Sequence, residues 1–233
     1  MSVVVRVTGV RKNYSGLRPL RIQSLEVLAG ERVALSGLDT AAAELFVNLI
    51  TGASLPDEGV VHTFERSTAD ITDGDQWLAT LDQFGIVSPR AVLLEGATLE
   101  QNLAMPYTLQ IDPIAPDVGA RVRALAEECG LPPALLPTLA GELSGAHRVR
   151  AHLARAVALE PRLLLLEHPT ADVAEPDRGA LARHIAAVAE ARRLTALAIT
   201  MDLEFAEGMA HRSLALVGAT GAVKAWKRKR GWF

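Results

Sequence analysis

The chain has 233 residues, 49% of them hydrophobic and 22% charged, enough to bury a core as one domain or as two tightly joined lobes. Its formal charge of −3 gives no general case for nucleic-acid binding, and none is expected. The longest apolar runs, such as 163–166 (LLLL), fall far short of the roughly 18 residues that span a bilayer.

In chain order, the opening MSVVVRVTGV lacks a charged n-region and cleavage site, so no secretory signal is expected. Segments 3–9, 21–28 and 31–36 read as short strands broken by Gly, Asn and Ser turns. A helix follows over 41–52, then strands at 59–63 and 84–87. Between Pro89 and Gly145 the texture turns helical and proline-punctuated; its clearest helix, 117–129, stops at Gly130 before Pro132 and Pro133. The lone cysteine, Cys129, rules out an intrachain disulfide, fits a reducing compartment and reads as a small core residue. Helix 147–159, the buried strand 163–166 and the apolar run 194–202 restore the alternation that marks a parallel α/β sheet. The expected architecture is an α/β core, approximately 1–88 and 146–233, with a helical lobe inserted at approximately 89–145 and a β-rich N-terminal part.

One segment carries chemistry in its frame. Residues 37–52 (GLDTAAAELFVNLITG) follow an apolar strand with a glycine turn and a helix, the supports of a phosphate loop with the pattern G-x-x-x-x-G-K-[ST]. Gly37 and Thr40 lie in the turn, but Ala42 stands for the second glycine, Ala43 for the lysine and Glu44 for the hydroxyl residue, with Leu45 following as the last of the degenerate nucleotide-site positions. Further along come 143–147 (LSGAH) opening a helix, 161–170 (PRLLLLEHPT), and 194–202 (LTALAITMD). In order and spacing these stations resemble the nucleotide-binding subunits of ABC transporters, over essentially the whole chain.

That resemblance implies an ABC-ATPase-like fold of the P-loop NTPase class, and sites that here are degenerate. In the family a lysine and a Mg²⁺-ligating hydroxyl hold the phosphates; this chain brings Asp39 and Glu44 instead. Removing one charge-assisted hydrogen bond costs roughly 1.5–3 kcal/mol, and a combined ~4 kcal/mol turns micromolar affinity into millimolar. Glu167 and His168 stand where the family has a metal-assisting Asp and a water-polarising Glu. Pro89 replaces the γ-phosphate-sensing Gln, and Met201 the switch His. The closing Asp of the following loop is lost unless Asp172 has shifted into its role. Tyr14 stands at the adenine-stacking position and reads equally as a strand-edge tyrosine. Leu143, Ser144 and Gly145 keep the signature loop, with Ala146 and His147 replacing Gly and Gln; in the family this loop acts on nucleotide held by the other subunit of a dimer.

The expectation is therefore a chain with no catalytic residues, no resident metal or cofactor, and at most weak ATP–Mg binding. Its implied partners are a membrane permease, an active ABC paralogue, or both, in a dimer of ABC-type domains. Leu93, Leu94 and 97–102 (ATLEQN) resemble the lipoprotein-release and macrolide-export type, whose helical lobe docks a permease; the same residues also suit a helix cap and core. The basic run with Lys224, Lys227, Arg228, Lys229 and Arg230 reads first as a solvated face and second as a contact for anionic lipid. The implied location is cytoplasmic and peripheral at the membrane. Two other readings stay open: an active ATPase using Glu44 or Glu167 for Mg²⁺ and His168 as base, and a regulatory scaffold without a transport role.

Overall fold

The computed structural model describes residues 2–16 and 18–226. Its chain order is β1 (Val3–Lys12), β2 (Leu20–Leu28), β3 (Arg32–Ser36), α1 (Thr40–Thr51), β4 (Glu58–Thr63), β5 (Arg66–Ser67), α2 (Gly74–Leu81) and β6 (Phe84–Val87). There follow α3 (Leu99–Ala104), α4 (Pro116–Glu128), α5 (Gly145–Val157), β7 (Leu163–Glu167), α6 (Glu175–Ala191), β8 (Thr195–Ile199), α7 (Leu203–Met209), β9 (Arg212–Val217) and β10 (Ala222–Ala225).

The central sheet has the order β10-β9-β3-β8-β7-β6, parallel except for the β10 edge, and a smaller antiparallel sheet has the order β2-β1-β4-β5. Period-two alternation sorts the central strands between two cores. Leu163, Leu165, Leu197 and Ile199 face α1 and the valines of β1, while Leu164, Leu166, Ala196 and Ala198 face the helices α3 to α7. Every residue of β7 is buried, which is why its sequence is an unbroken apolar run rather than an alternating one. Each such leucine contributes about 1.5–3 kcal/mol of transfer free energy. The parallel arrangement brings the C-terminal ends of β3, β6, β7 and β8 to one edge of the sheet, where ligands bind in open α/β folds.

Between β6 and α5, α3 and α4 contribute Leu99, Leu103, Val118, Val122 and Leu125 to the same cluster as α5 and α6, so this helical segment shares a core with its neighbours. Thr98 and Gln101 cap α3 reciprocally. The fully buried Asn102 donates to the carbonyls of Leu94 and Thr98 and accepts from Leu94 N–H. Within 97–102, Thr98 and Gln101 thus cap the helix and Leu99 and Asn102 enter the core, while Glu100 stays partly exposed. Cys129 is buried as expected, and desolvation, then Glu128, pushes its thiol pKa up to about 12, which leaves it unreactive.

The segment read as 3–9 extends to Lys12 because β1 pairs along its length with β2, ending at Lys12 with Leu20, so Tyr14 falls just beyond the strand. The helix read from 147 begins at Gly145, since Ser144 supplies its N-cap.

Candidate functional site

The degenerate phosphate loop is short and internally bonded. Only Gly37, Leu38 and Asp39 separate β3 from α1. Gly37 has φ +92, and a side chain there would run into the carbonyl of Leu216. Asp39 is the N-cap: its Oδ1 accepts from Ala42 N–H at 2.8 Å, and its carbonyl accepts from Ala43 N–H at 2.8 Å. The N–H of Gly37 points at Met201 Sδ, 3.3 Å away. Of the first-turn amides of α1, Ala42 N–H is thus taken up by the N-cap carboxylate, and the Gly37 amide ahead of the helix faces Met201. Ala42 and Ala43 are buried, Leu45 packs against the same core, and Thr40 is exposed at the rim.

Glu44, one turn into α1, faces the end of β7. There the fully buried Glu167 receives two bonds from Arg90: Nε to Oε1 at 3.2 Å and Nη2 to Oε2 at 2.7 Å. The remaining Nη1 of Arg90 reaches Glu44 Oε1 at 3.0 Å. Ser88, buried at the end of β6, donates its hydroxyl to Glu167 Oε2 at 3.1 Å and accepts Arg90 N–H at 3.1 Å. The Glu167 hydrogen bonds raise the Arg90 pKa further above its ordinary value against the opposing effect of burial. Arg90, which the sequence reading did not single out, is the side chain that joins Glu44 to Glu167. Its neighbour Pro89, the expected sensor position, is exposed and lines the cleft without a side-chain donor.

A cavity of about 470 Å³ opens beside the loop, lined among others by Asp39, Thr40, Pro89, His168, Met201 and Asp202. His168 follows β7 with φ +43, in the left-handed region that a non-glycine residue rarely adopts, held by its N–H donating to Ile199 O at 2.8 Å. Its Nε2 is buried and has no hydrogen-bond partner among the described residues. Met201 is 62% exposed at the mouth. Tyr14 folds beneath Gly16 and packs against the β1 side of the core. Burial, then the charge of Asp39, raises its phenol pKa. The structure brings Asp39, Glu44, Glu167, His168 and Met201 to one sheet edge.

The signature residues lie at the N-terminus of α5. Leu143 and Ala146 are buried; Ser144 is exposed, its Oγ accepting from His147 N–H at 3.3 Å and lying 3.0 Å from His147 Nδ1. Gly145 abuts the Asp172 carbonyl, so α5 and the loop after β7 touch through backbone. A second cavity of about 250 Å³ runs from Gly145 to Glu167 past His152. Lys224 is exposed on β10, while Lys227, Arg228, Lys229 and Arg230 lie outside the described residues.

His152 is 8% exposed, and desolvation, then Arg155 and Arg148, draws its pKa down to about 4. A depressed histidine pKa means that below the unfolded value the unfolded chain binds a proton that the folded chain refuses. This component of stability is present above about pH 6.5 and is lost as pH falls toward about 4. Between about pH 7 and about pH 5 the loss is expected to be about 2 kcal/mol. Urea unfolding of the native chain and of His152→Gln at both pH values checks this, since the variant removes the slope.

Comparison with known proteins agrees with this arrangement. The sequence model of the ABC transporter family matches residues 20–171. The bicarbonate transport ATP-binding protein CmpC of Synechocystis sp. is 30% identical over 232 residues, 95% of this chain and 33% of its own length. The sulfate/thiosulfate import ATP-binding protein CysA of Pseudomonas syringae pv. tomato is 30% identical over 217 residues, 91% of this chain and 63% of its own length. This chain thus spans between a third and two thirds of those two relatives. In fold it matches the dimeric ATP-binding cassette MJ0796 bound to ADP and Pi, with a TM-score of 0.76 at 22% identity over 98% of this chain and 100% of that one. With the family model covering residues 20–171 and the α/β cassette fold in place around these stations, the chain belongs to the ABC transporter ATP-binding family.

Proposed function

We propose that this chain is a non-catalytic ABC-type subunit that couples or completes a transporter assembly and does not hydrolyse ATP itself. The observation that carries this reading is that the loop meant for phosphate is bonded to its own chain: Gly37 N–H to Met201, Ala42 N–H to the Asp39 carboxylate. A polyphosphate would have to break these bonds, with no lysine at Ala43 to compensate and with Asp39 repelling it. The alternative of an unorthodox ATPase needs Glu44 or Glu167 free for a metal, and both are engaged by Arg90. His168 alone then has no positioned reactant to act upon.

The proposed partners are a permease, an active paralogue, or both, at the cytoplasmic face of a membrane. Among the described residues no helix is long and apolar enough to cross a membrane. A groove of about 390 Å³ between β6 and α5, with Phe84, Ile86, Met105 and Leu159 beside Asp82, His152 and Arg155 on its walls, is the seat we propose for a permease helix. In the likeness to lipoprotein-release and macrolide-export proteins, 97–102 serves as cap and core, so that subtype rests on Leu93 and Leu94; the two relatives above are named for bicarbonate transport and sulfate/thiosulfate import. A regulatory scaffold is the remaining alternative, which co-purification with neither permease nor paralogue would favour.

Calorimetric titration of the chain with Mg-ATP, carried to millimolar nucleotide, tests the reading. The expected result is no saturable binding below about 1 mM. A micromolar dissociation constant overturns it.

A further inference from the structure

We propose that the guanidinium of Arg90 is the resident cation of the nucleotide end, standing between the two side chains that the family resemblance assigns to Mg²⁺, so that this chain takes no divalent metal there. Glu44 comes from the first turns of α1, Glu167 from the end of β7 and Ser88 from the end of β6. Three elements thus place oxygen donors around one guanidinium, Glu167 on one edge and Glu44 on the other arm. What they meet is a planar cation tethered to the chain. Both Glu167 oxygens accept from the Arg90 fork, the second also from Ser88, and Glu44 accepts from the remaining arm.

The residues do not fit a resident Mg²⁺. That ion needs about six oxygens in octahedral array at about 2.1 Å, with its own waters among them. Here the inward-facing oxygens of the buried carboxylate are committed to N–H donors in the fork geometry that suits a carboxylate. An entering metal competes with a cation whose effective concentration is set by covalent attachment, about millimolar or above.

The same side chain fixes the backbone that carries it. Arg90 N–H is bonded to Ser88, and two residues on the Val92 carbonyl accepts from Arg155 of α5 at 2.6 Å. The segment leaving β6 for the helical lobe is therefore pinned to the core without nucleotide or metal. This inference stands apart from the inactive reading above, because a chain that bound nucleotide without metal would leave it intact.

The test uses Mn²⁺ alone as probe, without nucleotide, on the full chain. Free Mn²⁺ is followed by electron paramagnetic resonance for the native protein, Arg90→Met, and Arg90→Met combined with Glu167→Gln. The native chain is expected to bind no stoichiometric Mn²⁺ below about 1 mM, and Arg90→Met to bind one ion at least about tenfold more tightly. Adding Glu167→Gln should abolish that gain. Stoichiometric binding by the native chain that Glu167→Gln removes overturns the proposal, as does a folded Arg90→Met with no gain. Should Arg90→Met not fold, thermal unfolding of the native chain decides. A midpoint unmoved by about 5 mM Mn²⁺ supports the proposal, and a rise that disappears in Glu44→Gln overturns it.

Discussion

Arg90→Ala is expected to lower the unfolding free energy by about 3 kcal/mol, the low end of the range for breaking a buried ion pair. Glu167 is fully buried and keeps only the Ser88 hydroxyl once the guanidinium is gone. The low end applies because the Arg90 side chain is 41% exposed, so water partly replaces the missing partner. Glu44→Ala removes the other partner of the same arginine but a much weaker bond, since Glu44 is itself 44% exposed; about 0.5 kcal/mol is expected. Arg90→Lys should fall between, because one ammonium cannot answer both Glu167 oxygens in a fork. Denaturant unfolding of the three variants gives the order Arg90→Ala, Arg90→Lys, Glu44→Ala from most to least destabilised. Equal effects of Arg90→Ala and Glu44→Ala would show that the buried bond is not the dominant one.

This cluster also marks the limit of what the sequence makes legible. The frame of the loop was readable because a strand, a glycine turn and a helix leave local signals: Val33 to Leu35, Gly37, and the apolar face with Phe46, Leu49 and Ile50. Strand β7 was readable because burial on both faces demands an apolar run. The sequence places Asp39 in the loop as a carboxylate, and its place as N-cap follows from an Asp three residues before Ala42. Arg90 was not available. It lies 46 residues from Glu44 and 77 from Glu167, in an irregular segment with no periodicity to fix its direction. Pro89 beside it held the expected motif position and drew attention to what was missing. Met201 was likewise read as a replaced histidine, whereas its sulfur faces the Gly37 amide, a pairing between chain positions 164 apart. Local rules reach caps and strands, while the partners of a long polar side chain are set by topology.

Gly145→Ala is expected to cost about 3 kcal/mol, the upper end for overpacking, and Ser144→Ala about 1 kcal/mol, the usual value for an N-cap. The difference has a structural cause. A methyl at Gly145 would overlap the Asp172 carbonyl oxygen and come within 3.5 Å of Val173 Cα, both backbone atoms without a rotamer to yield. Ser144 loses only its bond from His147 N–H and its approach to Nδ1. The pair therefore separates structure from function in the signature loop. If the chain presents Ser144 to nucleotide held by an active partner, Ser144→Ala lowers ATP turnover of the co-purified complex while both subunits stay assembled. Gly145→Ala acts earlier, by displacing the loop after β7 from α5, and lowers the unfolding midpoint and the yield of complex together. Thermal unfolding read beside turnover of the purified complex distinguishes the two. Turnover unchanged by Ser144→Ala, in a complex that assembles normally, removes the signature role. What the fold would then supply is the groove beside α5, with the segment leaving β6 fastened by Arg90 and Arg155.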